Sequence, residues 1–247
     1  MIQIISGSHN KINFPVGECH ITQTQSPKRS SIFFQYQNDT EIIELMMLCN
    51  SLKEAGHTLK ELIMPYVPYS RQDRISNKGE AFSLKVFAGI INRLGFGSVE
   101  ITDAHSPVTT ALINNCVEIP QEKVFKKVIA NYGKHYLISP DGGALKKIYK
   151  SVNKSTIEVI ECSKKRDTQT GKITGTVVHY NDFENSTCII VDDICDGGRT
   201  FIEIAKVLKT KEAGKIILCV SHGFFTKGIE IFDNLIDEIY TKNGRVK

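Results

Sequence analysis

Five short stretches of this 247-residue chain hold side chains that could do chemistry. The fullest is "VDDICDGGRT", Val191 to Thr200, where a β-branched run gives way to paired acids, a double glycine and an arginine. The glycines allow close backbone approach and positive φ, so successive N–H groups can line a cup for an anion. A helix starting near Phe201 would add about half a positive charge at its N-terminus. Ionised Asp192 and Asp193 are acceptors suited to sugar hydroxyls. An ordinary acidic turn would account for one aspartate, but not for three acids on an apolar strand end. The other four stretches are "PYSRQDR", "TDAHS", "SPDGG" and "KKRD".

The elements around them alternate between strand-length apolar runs and segments of helical period, the pattern of a parallel α/β sheet. Glu41 to Ala55 puts Ile42, Leu45, Met46 and Leu52 on one helical stripe, with Gly56 as the stop. "LKELIMPYVPY" reads as a strand, Ser83 to Leu94 as a helix ended by Gly95, and "SVEITD" as a strand ending at Asp103. The pattern then repeats. "HYLISPDGG" is a strand entering a turn, followed by a lysine-rich helix through Tyr149. "TIEVIEC" and "STCIIVDDICDGGRT" are strands, "FIEIAKVLKTKEAG" a helix closed by Gly214, "KIILCVSHG" a strand, and "IDEIYT" a short last one. Proline interrupts the periodicity in "EIPQEK", Glu118 to Lys123, so the expected domains are 1–120 and 121–247. Ligands collect beyond the carboxyl ends of strands in such sheets. Four polar clusters on the same predicted edge describe a site.

Bulk properties narrow the function. A net charge of +4 suits a protein handling anionic metabolites and is too weak and dispersed for nucleic acid. As bare patterns, "KKR" at Lys164–Arg166 and "KK" at Lys126–Lys127 and Lys146–Lys147 read as solvated faces. Seven cysteines without a C-x-x-C pair argue against disulfides or structural zinc, and Cys188 and Cys219 sit in apolar runs as small hydrophobes. The N-terminus lacks the marks of a signal peptide, and no apolar run approaches the ~20 residues that span a bilayer. A soluble, cytoplasmic protein is expected, with no membrane or nucleic-acid partner. No G-x-x-x-x-G-K-[ST] is present, so a nucleotide would be held by something other than a P-loop.

Together the clusters resemble the ribose-phosphate pyrophosphokinase (phosphoribosyl pyrophosphate synthetase) family, over about Ile4 to Tyr240. That resemblance implies an α/β fold of two tandem type I phosphoribosyltransferase-like domains, the first on the ATP side and the second carrying the sugar-phosphate loops. It implies transfer of the pyrophosphoryl group of MgATP to the anomeric hydroxyl of ribose 5-phosphate, releasing AMP, with Mg²⁺ as cofactor and a homo-oligomer as the working form. The alternatives are a phosphoribosyltransferase that consumes phosphoribosyl pyrophosphate, and an inactive regulatory homologue. "RQDR" is similar to the family's ATP-contacting stretch, implying Arg71, Gln72 and Asp73; physically, an arginine fork reads phosphate and Gln or Asp a base or ribose edge. "DAH" resembles D-x-H, implying His105 on ATP phosphate or metal, with Asp103 and Asp141 completing a Mg²⁺ site of few protein ligands. Phe14 and Glu18 match the family's F-S-D-G-E turn, an ATP contact, while Val16 replaces its aspartate. "SPDGGALKK" resembles the pyrophosphate loop, implying Asp141, Gly142 and Gly143, with Ala144 in place of the second glycine. "KKRD" resembles the catalytic K-x-R on a flexible loop, implying Lys164 and Arg166. "VDDICDGGRT" resembles the ribose 5-phosphate loop, implying Asp192, Asp193, Asp196, Gly197, Gly198, Arg199 and Thr200. Relative to the family's D-T-x-G-T, Gly197 replaces a threonine and Arg199 a glycine. Arg199 would either add charge to the phosphate site or point outward while its backbone N–H binds.

Overall fold

The computed structural model describes residues 1–151, 157–166 and 173–247, the side chains of 127, 151, 164–166, 173 and 174 excepted. The chain divides into two compact units, Met1–Ile119 and Pro120–Lys247.

The first unit contains, in order, β1 (Ile2–Ile4), β2 (Ser8–Asn13), β3 (Cys19–Gln25), β4 (Arg29–Phe34), α1 (Thr40–Glu54), β5 (Thr58–Ile63), α2 (Ser83–Leu94), β6 (Ser98–Thr102), α3 (Pro107–Leu112) and β7 (Cys116–Ile119). Its main sheet has the order β1-β4-β5-β6-β7, parallel except for β1. Strands β2 and β3 form a separate hairpin. Ile32 and Phe34 of β4, Leu45, Leu48 and Leu52 of α1, and Phe87 of α2 share one buried core. Met46, expected on the buried stripe of α1, is 39% exposed; Leu48 and Cys49 complete the stripe instead. Gly56 and Gly95 end their helices as the sequence predicts, at φ +75° in both. The run "LKELIMPYVPY" is a shorter strand than expected: β5 stops at Ile63, two residues before the first of two prolines, which have no N–H for a ladder.

The second unit contains α4 (Gln121–Ala130), β8 (His135–Ser139), α5 (Gly142–Ser151), β9 (Glu158–Arg166), β10 (Ile173–Val178), β11 (Thr187–Cys195), α6 (Arg199–Thr210), β12 (Ile216–Gly223), β13 (Glu238–Thr241) and β14 (Gly244–Arg245). The sheet order is β10-β9-β8-β11-β12-β13-β14, parallel from β9 through β13 and antiparallel at both edges. Both faces are covered, which is why β11 reads as a continuous apolar run. Cys188 and Ile190 enter the core under α6 with Phe201, Ile204 and Leu208, whereas Ile189 and Val191 join Phe125 of α4 and Ile148 of α5. Gly214 does not close α6, which ends at Thr210. It is a glycine because a Cβ there would lie 2.3 Å from the Asn185 carbonyl oxygen.

The amino-terminal edge of the second sheet holds a buried acid. Glu238, opening β13, accepts hydrogen bonds from Lys215 Nζ at 2.8 Å, Tyr240 Oη at 2.7 Å and Tyr132 Oη at 2.9 Å, with Arg245 Nη1 at 3.4 Å. The Lys215 hydrogen bond outweighs desolvation and, with the two phenols, holds its pKa down at about 2. A carboxyl depressed on folding contributes stability that is full above its unfolded pKa near 4.5 and is lost as pH falls toward 2. Glu238→Gln is expected to cost ~3 kcal/mol at neutral pH. Thermal melts from pH 7 to 3 should show the gap between the two proteins closing below pH 4.5; a gap of constant size would refute the assignment.

Candidate active site

The carboxyl ends of the parallel strands carry the predicted clusters, but on two sheets rather than one edge. The ends of β5 and β6 lie in the first unit, those of β8 and β11 in the second.

In the first unit, the structure brings "RQDR" and "DAH" together. Buried Asp73 is bound by Arg74 Nε at 2.9 Å. Burial pushes its carboxyl up, but the neighbouring Ser106 hydroxyl, the Arg74 guanidinium and the charge of His105 outweigh that and leave it lowered. The Ser106 Oγ is buried beside Asp73 in a geometry short of a full hydrogen bond. Asp103 follows β6 directly at φ +46°, its N–H donating to the Ile119 carbonyl at 2.8 Å. That kink turns the chain so that the next N–H, of Ala104, meets Glu118 Oε1 at 2.9 Å and His105 emerges half-buried. Arg71 and Gln72 are exposed. Phe14 and Glu18 stand on another element, the turn joining β2 and β3, closed by Phe14 N–H to Glu18 O at 2.8 Å and by Gly17 at φ +94°. Phe14 is 47% exposed and Val16 82%.

In the second unit, Asp192 and Asp193 lie within the last four residues of β11 rather than beyond it. Their carboxylates are neighbours, and the Asp193 N–H donates to Asp192 Oδ1 at 2.9 Å. Desolvation first, then the Asp193 charge, pushes Asp192 well above the usual carboxylate range. Asp193 is paired with Lys147 Nζ of α5 at 3.3 Å. Lys147 belongs to a pair that reads in sequence as a solvated face; its side chain is only 23% exposed. Asp196 is bonded through Oδ1 to Thr226 Oγ1 at 2.8 Å, fastening the loop to the exit of β12. Gly198 caps α6 at φ +72°, and a Cβ on it would lie 2.5 Å from Phe232 Cζ. Gly197 faces the stem of Lys227, with Cε 3.6 Å from where its Cβ would be. Arg199 is the first residue of α6. Its guanidinium is exposed and bound to Glu203 Oε1, one turn along, at 2.8 Å. Asp141 caps α5: its Oδ1 accepts the N–H groups of Gly143 at 2.9 Å and Ala144 at 3.1 Å, and its carbonyl accepts Ser139 Oγ at 2.7 Å.

The resemblance puts Lys164 and Arg166 on a flexible loop. Their backbone instead completes β9, paired antiparallel with β10, Lys164 opposite Thr176 and Arg166 opposite Ile173. The β-branched "ITGTVV" of β10 supplies the ladder that extends the strand. The side chains of both residues lie outside the described residues. Asp103 and His105 belong to the first unit and Asp141 to the second. Among the described residues, no group of three or more His, Cys, Asp or Glu side chains is placed to hold a metal. All seven cysteines are free, and burial pushes the Cys188 thiol up to about 12, as expected of a hydrophobe rather than a nucleophile. No helix among the described residues is long and apolar enough to cross a membrane.

Three partners escaped the sequence: Lys147 on Asp193, Thr226 on Asp196 and Lys227 over Gly197. The second and third share a signal, since "SHGFFTKG" leaves β12 next to the strand that carries the loop.

Two tandem phosphoribosyltransferase-type units, each with a mostly parallel sheet and polar clusters at its strand ends, define the class. Residues 122–234 match the phosphoribosyl transferase domain, and residues 2–95 match the N-terminal domain of ribose phosphate pyrophosphokinase. The ribose-phosphate pyrophosphokinase of Mycoplasma genitalium is 30% identical, over 94% of this chain and 74% of its own. That of Mycoplasmopsis pulmonis is 28% identical, over 96% and 76%. The phosphoribosylpyrophosphate synthetase of Mycobacterium smegmatis shares the fold, at a TM-score of 0.81 and 20% identity over 95% of this chain and 80% of its own. The chain belongs to the ribose-phosphate pyrophosphokinase family.

Proposed function

We propose that this protein transfers the pyrophosphoryl group of ATP to the anomeric hydroxyl of ribose 5-phosphate, giving phosphoribosyl pyrophosphate and AMP. The observation that carries the reading is the Asp192–Thr200 segment, where a paired acid runs through a left-handed glycine into a 12-residue helix. The backbone N–H groups from Gly197 to Thr200 and the positive end of α6 would bind the 5-phosphate. Asp192 and Asp193 would accept from ribose hydroxyls, with Lys147 holding Asp193 in place. At α5, Asp141 now occupies the N–H groups of Gly143 and Ala144 that pyrophosphate would use, so it would turn away as that group arrives. Arg71, Gln72, Asp73 and His105 would hold the nucleotide, with Phe14 and Glu18 as further contacts. Lys164 and Arg166 would neutralise charge on the transferring group.

The donor set suits Mg²⁺, a hard cation that keeps several waters and takes few carboxylates from the protein. Asp103 and His105 of the first unit, or Asp141 of the second, would hold it, and it would supply charge neutralisation to the phosphates. The working form is proposed to be a homo-oligomer, which sedimentation of the purified protein checks directly.

Mixing the protein with ATP, Mg²⁺ and ribose 5-phosphate should give AMP in step with loss of ATP. Absence of AMP, with pyrophosphate released from phosphoribosyl pyrophosphate and a base, would replace this reading by a phosphoribosyltransferase. Neither activity would make the chain a regulatory homologue. The Arg199–Glu203 pair favours an outward role for the arginine, so Arg199→Gly should leave KM for ribose 5-phosphate within about twofold, as removal of an exposed ion pair does. A tenfold rise would put the guanidinium on the phosphate.

A further inference from the structure

Tyr69 carries a bulky side chain at φ +62°, a region such residues rarely adopt unless their surroundings hold them there. Its own hydrogen bond to Asp39 and its two ring contacts do so. Its phenol donates to Asp39 Oδ1, at the start of α1. Tyr36 Oη donates to the same oxygen at 2.6 Å. Its ring packs on that of Phe87, a buried residue of α2, at 5.6 Å, and on Tyr36 at 6.2 Å. Tyr69 and Ser70 lead directly into the "RQDR" stretch. The Tyr69 carbonyl accepts the Gln72 N–H at 2.9 Å, and buried Ser70 and the Gln72 carbonyl's bond to Leu84 N–H at 3.3 Å leave Arg71 and Gln72 projecting to solvent.

We propose that Asp39 and Tyr69 are a positioning pair: the carboxylate fixes the phenol, the phenol fixes the left-handed backbone, and that backbone presents Arg71 and Gln72 to the nucleotide. The final step rests on the nucleotide contacts proposed for those two residues. Neither Asp39 nor Tyr69 needs to touch the nucleotide. Their effect is preorganisation, because a loop already held in its binding geometry loses less entropy when ligand arrives.

The test compares Tyr69→Phe, Asp39→Asn and Tyr36→Phe with the parent protein. Tyr69→Phe should raise KM for ATP by about tenfold with kcat within twofold, the factor carried by a lost hydrogen bond to a charged group, and Asp39→Asn, which keeps a neutral acceptor, should raise it by less. Tyr36→Phe removes a bond to the same carboxylate without loosening the loop, so its KM should stay within about twofold. Equal KM in all three, whatever their melting temperatures, would reduce the cluster to a packing role and overturn the proposal. Hydrogen exchange at the Gln72 amide gives a readout independent of activity. It should quicken in Tyr69→Phe by about tenfold, following the lost anchor. If the parent protein turns over no ATP, the nucleotide reading falls, and the Gln72 exchange rate alone decides the pair: quickened supports it, unchanged overturns it.

Discussion

Lys164→Ala and Arg166→Ala are each expected to lower kcat by on the order of 10²-fold or more, with KM for ribose 5-phosphate little changed. Pyrophosphoryl transfer asks little covalent chemistry of a protein. The work is in-line positioning and stabilisation of charge that spreads over the transferring group as bonds loosen. Cations that meet that charge only in the transition state affect kcat rather than ground-state binding. The backbone of both residues lies at the end of β9, and the register with β10 shifts between Ile173 and Gly175, directly opposite Arg166 and Lys165. Lys164→Arg keeps the charge but changes a compact ammonium into a planar fork, so it should recover only part of the loss. Steady-state turnover near the parent value in both alanine variants would remove the pair from the mechanism.

The second large effect is structural. Gly198→Ala is expected to destabilise the second unit by roughly 2–5 kcal/mol, the sum of a left-handed penalty and an overpacking penalty. The backbone sits at φ +72°, and the added methyl would meet Phe232 Cζ at 2.5 Å and Ile231 Cδ1 at 2.9 Å. Phe232 is fully buried and cannot retreat cheaply. Gly197→Ala is the control. Its nearest neighbour would be the flexible Lys227 stem at 3.6 Å, an ordinary contact, and its backbone is outside the left-handed region. Urea unfolding followed by circular dichroism should separate the two substitutions clearly. Similar midpoints would mean that the loop relaxes around the methyl group.

The contrast between those glycines shows what sequence can and cannot convey. The α/β class was legible because local signals agreed: α1 and α2 follow apolar periodicity and end at Gly56 and Gly95, both left-handed. The clusters were legible because strands with two covered faces announce where they stop being apolar. The hairpin of β2 and β3 was not, since "SHNKIN" is exposed almost throughout and carries no buried alternation. Nor was the extension of β9 through Lys164–Arg166, which depends on a partner strand across a polar stretch. Contacts between distant residues were equally hidden. Nothing near Tyr69 in the chain points to Asp39, 30 residues away, and the lysine pair in α5 gave no sign that one of its members reaches Asp193.

The acid at the start of β13 has a consequence for how the second unit could change over time. Strands β11, β12 and β13 run parallel, so Glu238 and the Asp192–Asp193 pair lie toward opposite ends of one sheet. At one end a carboxylate is oversupplied with donors and anchors the fold; at the other, a carboxylate is held against its own preference by burial and a like charge. The anchor of the fold and the proposed sugar-phosphate site are thereby kept in separate neighbourhoods. Replacing Asp192 would relieve repulsion instead of removing an anchor, so the proposed sugar-phosphate loop can change at that position while the sheet beneath it stays folded.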